Sequence, residues 1–113
     1  MNNYDSQVDE ALARGGSFDI TGTSAVINKQ FMGFQASDGA VLAVIKGIPL
    51  NSTASTLALI RTAEVDLASY FLTTLTDPLF ANALYRVDGY IITKIQLTSG
   101  SLHCYKTKTQ ISA

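Results

Sequence analysis

The sequence predicts a mainly β domain, a small β-sandwich or β-barrel-like unit with a C-terminal hairpin and one or two helices inserted around residues 57–84. Three observations carry this. Tyr90 to Leu97 alternates as a strand does, with Ile91, Thr93, Ile95 and Leu97 on one face and Tyr90, Ile92, Lys94 and Gln96 on the other. Ser37-Asp38-Gly39 and Asp88-Gly89 are turn signals, because Asp tolerates and Gly favours positive φ. From Leu57 onward, Leu57, Ile60, Glu64, Leu67, Phe71 and Leu75 recur at helical spacing. At 113 residues one domain is the default, assigned to residues 17–113.

Ahead of that domain, residues 1–16 are polar and end in Arg14-Gly15-Gly16. Val8, Ala11 and Leu12 recur at i, i+3 and i+4, so Ser6 is placed to cap a short helix running to Arg14. So short a helix is marginal alone, which makes this segment an arm or a helix that docks on a neighbour. Phe18 and Ile20 then alternate with Asp19 and Thr21, and Gln30-Phe31-Met32-Gly33-Phe34 follows. Ala40 to Ile45 is a continuous apolar run rich in β-branched residues, the pattern of a strand covered on both faces, with a short helix as the alternative that periodicity leaves open, and Gly47 and Pro49 close it. Asn51 to Thr56 is a hydroxyl-rich connector. The spacing predicts a helix from about Leu57 to about Thr73, with two strands as the competing reading of that stretch, since Thr and aromatic residues crowd Tyr70–Thr76. Asp77-Pro78 reads as N-cap and N1 of a second short helix through about Leu84. Thr98-Ser99-Gly100-Ser101 is a tight reversal, and Leu102 to Lys106 runs back from it, which predicts a β-hairpin over Val87–Lys106.

Composition narrows function. Charged residues are 15% of the chain against roughly 25% for ordinary globular domains, while apolar residues reach 47%. Ser, Thr, Asn and Gln supply the remaining polarity, and neutral hydroxyl-rich surfaces suit strands and desolvate cheaply in protein contacts. A net charge of −1 and a pI near 5.6, with eight scattered Lys and Arg, argue against a nucleic-acid binder, which needs clustered cations. No basic and apolar leader opens the chain, and Ala40–Pro49 is too short to span a bilayer. A soluble protein outside the classical export route is therefore expected, with no membrane partner.

Little points to chemistry. The single cysteine, Cys104, forbids an intramolecular disulfide, and in Leu102-His103-Cys104-Tyr105 it reads as a small buried hydrophobe. On a strand His103 and Cys104 face opposite ways and share neither a metal nor a proton. Asp38 and Asp88 precede glycines in turns, Asp77 precedes a proline as a cap, and Asp9, Glu10, Glu64 and Asp66 suit solvated helix faces. Ser99 lacks the glycine of a nucleophile elbow, and no phosphate-cradling glycine pattern occurs. No catalytic, cofactor-binding or metal residue is assigned, and no cofactor is expected.

The tail carries a resemblance. Asp88-Gly89-Tyr90-Ile91-Ile92-Thr93-Lys94-Ile95-Gln96-Leu97-Thr98-Ser99-Gly100-Ser101-Leu102-His103-Cys104-Tyr105-Lys106 resembles a C-terminal pattern of small tailed-bacteriophage virion proteins, capsid-decorating or head-fibre-like subunits. In that pattern a glycine turn enters an Ile-x-x-Ile-x-Leu strand, then Ser-Gly, then a returning strand ending in Ala-Tyr or Cys-Tyr. Phe34 to Ile45 is similar to an earlier strand of the same proteins, so the likeness covers about a third of the chain in two pieces. The stretch from Leu57 to Leu84 departs from the pattern, which implies a helical module inserted on a sheet. The resemblance implies a β-rich, often trimeric subunit of a virion, assembled in the host cytoplasm and attached to a capsid or other virion protein. It brings no site residue, since its glycines make turns and Ile95, Leu97 and Tyr105 pack.

The leading expectation is thus a non-enzymatic structural subunit forming a homo-oligomer, with a trimer favoured. The alternatives are a small cytosolic α+β domain binding an apolar ligand or a protein partner, and a small enzyme using converging carboxylates.

Overall fold

The computed structural model describes residues 16–70 and 77–113. The arm assigned to residues 1–16 therefore lies outside the described residues except for Gly16. Among the described residues the chain is mainly β with one helix, as expected. In order it forms β1 (Ser17–Ile20), β2 (Phe31–Ala36), β3 (Val41–Pro49), α1 (Leu57–Ala63), β4 (Val65–Asp66), a single 3-10 turn at Ala68–Tyr70, β5 (Leu84–Tyr85), β6 (Tyr90–Ser99) and β7 (Leu102–Lys106). The strands make one antiparallel sheet in the order β1-β7-β2-β6-β3-β4, with β5 against β2, and the sheet curls into a half-barrel around one core.

The hairpin expected over Val87–Lys106 is corrected. Both strands and the reversal between them are present, yet β6 and β7 do not pair with each other. Instead β6 pairs with β3 along its length, from Pro49 opposite Tyr90 to Val41 opposite Ser99. On its other side it bonds to the chain leading into β2, through Val26 with Ile95 and Phe31 with Ile92. Likewise β7 lies between β1 and β2. Each strand has both edges occupied, so neither has backbone groups left for the other.

What redirects the strands is the stacking of two corners. The β2–β3 corner, Ser37 to Ala40, lies on the β6–β7 corner, Ser99 to Ser101. Ser37 N–H donates to the Ser101 carbonyl (3.0 Å), Ser101 N–H donates to Ser37 Oγ (2.9 Å) and the Ser99 hydroxyl donates to the Gly39 carbonyl (3.1 Å). Gly100 has φ +80°, and a Cβ there would sit 2.5 Å from Ala40 Cα, so only glycine lets the corners touch.

Inward-facing residues follow the pleat in rows. Phe18, Cys104, Phe34 and Tyr85 form one row across β1, β7, β2 and β5, while Ile20, Leu102 and Ala36 form the next. Phe34 stacks on Tyr85 at 5.5 Å, and Phe31 on Phe18 at 6.1 Å. Phe31, Phe34, Ile45, Ile92, Ile95 and Cys104 are wholly buried, and each large apolar side chain among them contributes roughly 1.5–3 kcal/mol. No residue of β3 is exposed, as its continuous apolar run predicts.

The expected faces of β6 hold at Ile95 and Leu97 but shift below them. Lys46 pairs with Lys94 and Gly47 with Ile92, so Thr93 is the extra residue of a bulge. The bulge turns Ile92 into the core and aims Thr93 at the helix.

Both helix expectations are corrected. Thr56 caps α1, its hydroxyl accepting from Leu59 N–H at 3.2 Å, but the helix ends at Ala63 because Glu64 is extended, with ψ 140°. Val65 then pairs with Gly47, and Leu67 N–H donates to the Ile45 carbonyl. The 60, 64, 67 spacing that suggested a longer helix is met by about two turns of helix followed by an edge strand. Residues 71–76 are not described. Asp77-Pro78 opens no helix: Leu79 N–H bonds to Ala40 O and Asn82 N–H to Ala36 O, and Asn82 takes φ 62°, so the segment is a turn laid on the β2–β3 corner.

Candidate functional site

Three features carry polar or unpartnered groups. The first is buried, where α1 meets the β6 bulge. The Thr93 hydroxyl donates to Glu64 Oε2 at 2.6 Å, and Arg61 Nη2 lies 3.0 Å from the same oxygen and donates to the Thr93 carbonyl at 2.9 Å. The Glu64 side chain is only 5% exposed, which corrects the expectation of a solvated helix face. Arg61 Nε and Nη1 are buried without a hydrogen-bond partner among the described residues, which leaves the guanidinium only partly compensated there for leaving water. An ion pair of this kind fixes how α1 sits on the sheet and adds little net stability.

The second feature is the outward row Asp19, His103, Gln35 and Leu84, which lies one residue over from the core row. His103 Nδ1 is 2.6 Å from Asp19 Oδ1, the ring meets Tyr105 edge-on at 5.1 Å, and the Tyr105 hydroxyl donates to Gln35 at 3.0 Å. An imidazole held by a carboxylate is the oriented half of an acid–base unit. A nucleophile must meet its other nitrogen, and among the described residues no hydroxyl or thiol hydrogen-bonds to the ring. Cys104 points the opposite way, into the core, as the strand geometry predicts. Burial, with help from the Asp19 carboxylate, pushes its thiol up to about 12. The thiolate is the nucleophile and metal ligand, so Cys104 is inert in the native state.

The remaining carboxylates stay apart. Asp66 accepts from Ala68 N–H at 2.9 Å, Asp88 pairs with Arg86 at 3.2 Å, and Asp38 and Asp77 are exposed, Asp77 capping no helix. Asp9 and Glu10 lie outside the described residues. Among the described residues no three His, Cys, Asp or Glu side chains group as metal ligands, and no helix is long and apolar enough to cross a membrane.

The third feature is apolar. Phe80 is 80% exposed on the turn that packs on the β2–β3 corner. Its N–H bonds to the Tyr85 hydroxyl at 2.9 Å, and Leu79 beside it is buried. Near the far end of β3, Ser52, Thr53, Ala54, Leu59, Thr62 and Ala63 line an open cleft of about 240 Å³. Sequence reasoning missed both, because it placed Phe80 in a helix and Ser52–Ala54 in a plain connector. It also missed Asp19 as the partner of His103, which only strand register reveals. Compared with protein-family models, curated proteins and solved structures, the chain matches none.

Two outcomes follow from the buried groups. Glu64→Ala strands the Arg61 guanidinium and is expected to cost about 2–3 kcal/mol in urea unfolding, whereas the pair Arg61→Met, Glu64→Leu recovers most of that loss. Cys104 has a folded pKa above its unfolded value of about 8.5, so the native state holds the extra proton. Its contribution is intact below pH ~8.5 and declines as pH rises toward about 12, by at most about 1.4 kcal/mol per unit. Urea midpoints from pH 8 to 11 are therefore expected to fall less steeply in Cys104→Ala than in the wild-type chain.

Proposed function

We propose that this chain is a non-enzymatic structural subunit of a bacteriophage particle, a homo-oligomer, with a trimer favoured, that decorates or attaches to the capsid. The observation that carries this reading is Phe80, an aromatic side chain held out in water on a hydrogen-bonded turn of a chain with 15% charged residues. Exposed large apolar groups on a weakly charged surface gain by burial against further copies or a partner. Ile27, Leu50, Leu59 and Tyr70 are between 47% and 60% exposed and add to that surface. The particular setting rests on the resemblance of Asp88–Lys106 and Phe34–Ile45 to virion proteins, with which a β-rich fold is compatible.

Light scattering on a sizing column is expected to give a multiple of 12.1 kDa, three-fold for the trimer. A single-copy mass at all concentrations would contradict the assembly. Mass spectrometry of particles purified from a host carrying the gene is expected to find the chain, and particles lacking it would remove the phage setting.

A further inference from the structure

We propose that Phe80 of one copy seats in the Ser52–Ala63 cleft of the next, so that copies join head to tail. This rests on the homo-oligomer proposed above and names the contact that makes it.

Phe80 is presented rigidly. The buried Leu79 side chain and the N–H groups of Leu79, Phe80 and Asn82, bonded to Ala40, Tyr85 and Ala36, fix the turn on both sides of it. An aromatic side chain on a backbone fixed in advance loses only the freedom of its own two torsions on docking, the character of an interface anchor. The cleft matches it in size, since a cavity of about 150 Å³ already holds a benzene ring and this one offers about 240 Å³. It also matches in charge. None of the cleft-lining residues is ionisable, nor is any residue from Pro78 to Ala83, so docking buries no unpaired charge. Leu59, 49% exposed, gives the ring an apolar surface.

Position decides between one copy and two. The Phe80 turn is bonded to Ala36 and Ala40, just before β3 begins, whereas Ser52 N–H bonds to Pro49 O, at the strand's other end. The nine residues of β3 separate them by roughly 25–30 Å, at about 3.3 Å per residue. A chain therefore cannot fill its own cleft. Two different patches meeting make a heterologous contact, which closes into a ring where the rotation allows and otherwise extends as a filament.

The test uses two full-length variants, Phe80→Ser, which keeps the cleft, and Leu59→Glu, which keeps the aromatic anchor. Both side chains are exposed, so both variants are expected to keep the wild-type circular-dichroism spectrum and to run as monomers where the wild-type chain assembles. Isotope-labelled Phe80→Ser is then titrated with unlabelled Leu59→Glu and followed by amide NMR shifts. Shifts at Ser52, Leu59 and Ala63, saturating at one to one and absent when unlabelled Phe80→Ser is added instead, are the expected result. No shifts in the mixture, or a Phe80→Ser chain that still assembles as the wild type does, overturns the contact and leaves the homo-oligomer standing. A wild-type chain that is itself monomeric overturns both.

Discussion

The contact between the two corners, Ser37–Ala40 against Ser99–Ser101, governs the arrangement of the four central strands, β2, β3, β6 and β7. Because Gly100 brings the backbones together where any side chain would collide with Ala40, the two reversals stack and do not close on themselves. Each corner then sends one strand to β7's side of the curl and the other to β6's side. Antiparallel partners are consequently distant in sequence: Gln35 faces His103 and Val44 faces Gln96. A fold made of such pairings must close long loops before it gains contacts, which favours slow folding over local nucleation.

Short contacts fasten the sheet to the segments that flank it. Gln30 and Gln110 clasp one another, Gln110 Nε2 donating to the Gln30 carbonyl at 2.7 Å and Gln30 N–H donating to Gln110 Oε1 at 2.9 Å, which ties residues 107–113 to the start of β2. On the other side, β4 and the Leu67 N–H take up outward groups of β3, and the Leu79 N–H takes the Ala40 carbonyl of the corner before it. The Arg61–Glu64–Thr93 cluster seats α1 over the β6 bulge. The chain carries few charges, and its exposed surface includes several large apolar side chains. The proposal of assembly rests on that surface.

The strands were largely legible in the sequence and their partners were not. Alternation reports which side chains face inward, and it placed Leu97, Ile95 and Cys104 correctly, but it is silent on which strand lies alongside. The Ser-Gly reversal looked like a hairpin turn because a corner and a hairpin need the same positive-φ glycine. Helical spacing misled at Glu64 and Leu67, since a helix followed by an edge strand buries the same positions. Asp77-Pro78 misled because a cap signal counts only where N–H groups need capping, and here Leu79 and Asn82 donate theirs to the neighbouring corner. Of the site features, the opposed faces of His103 and Cys104 followed from strand geometry alone. The Asp19–His103 pair and the Phe80 anchor required tertiary structure.

Backbone NMR tests the corner-stacked topology most directly. Cross-strand amide and Hα Overhauser effects should link Gln35 with His103 and Val44 with Gln96, the partners set by the observed register. Backbone effects linking Leu97 with Cys104, as a closed β6–β7 hairpin would produce, would contradict the account.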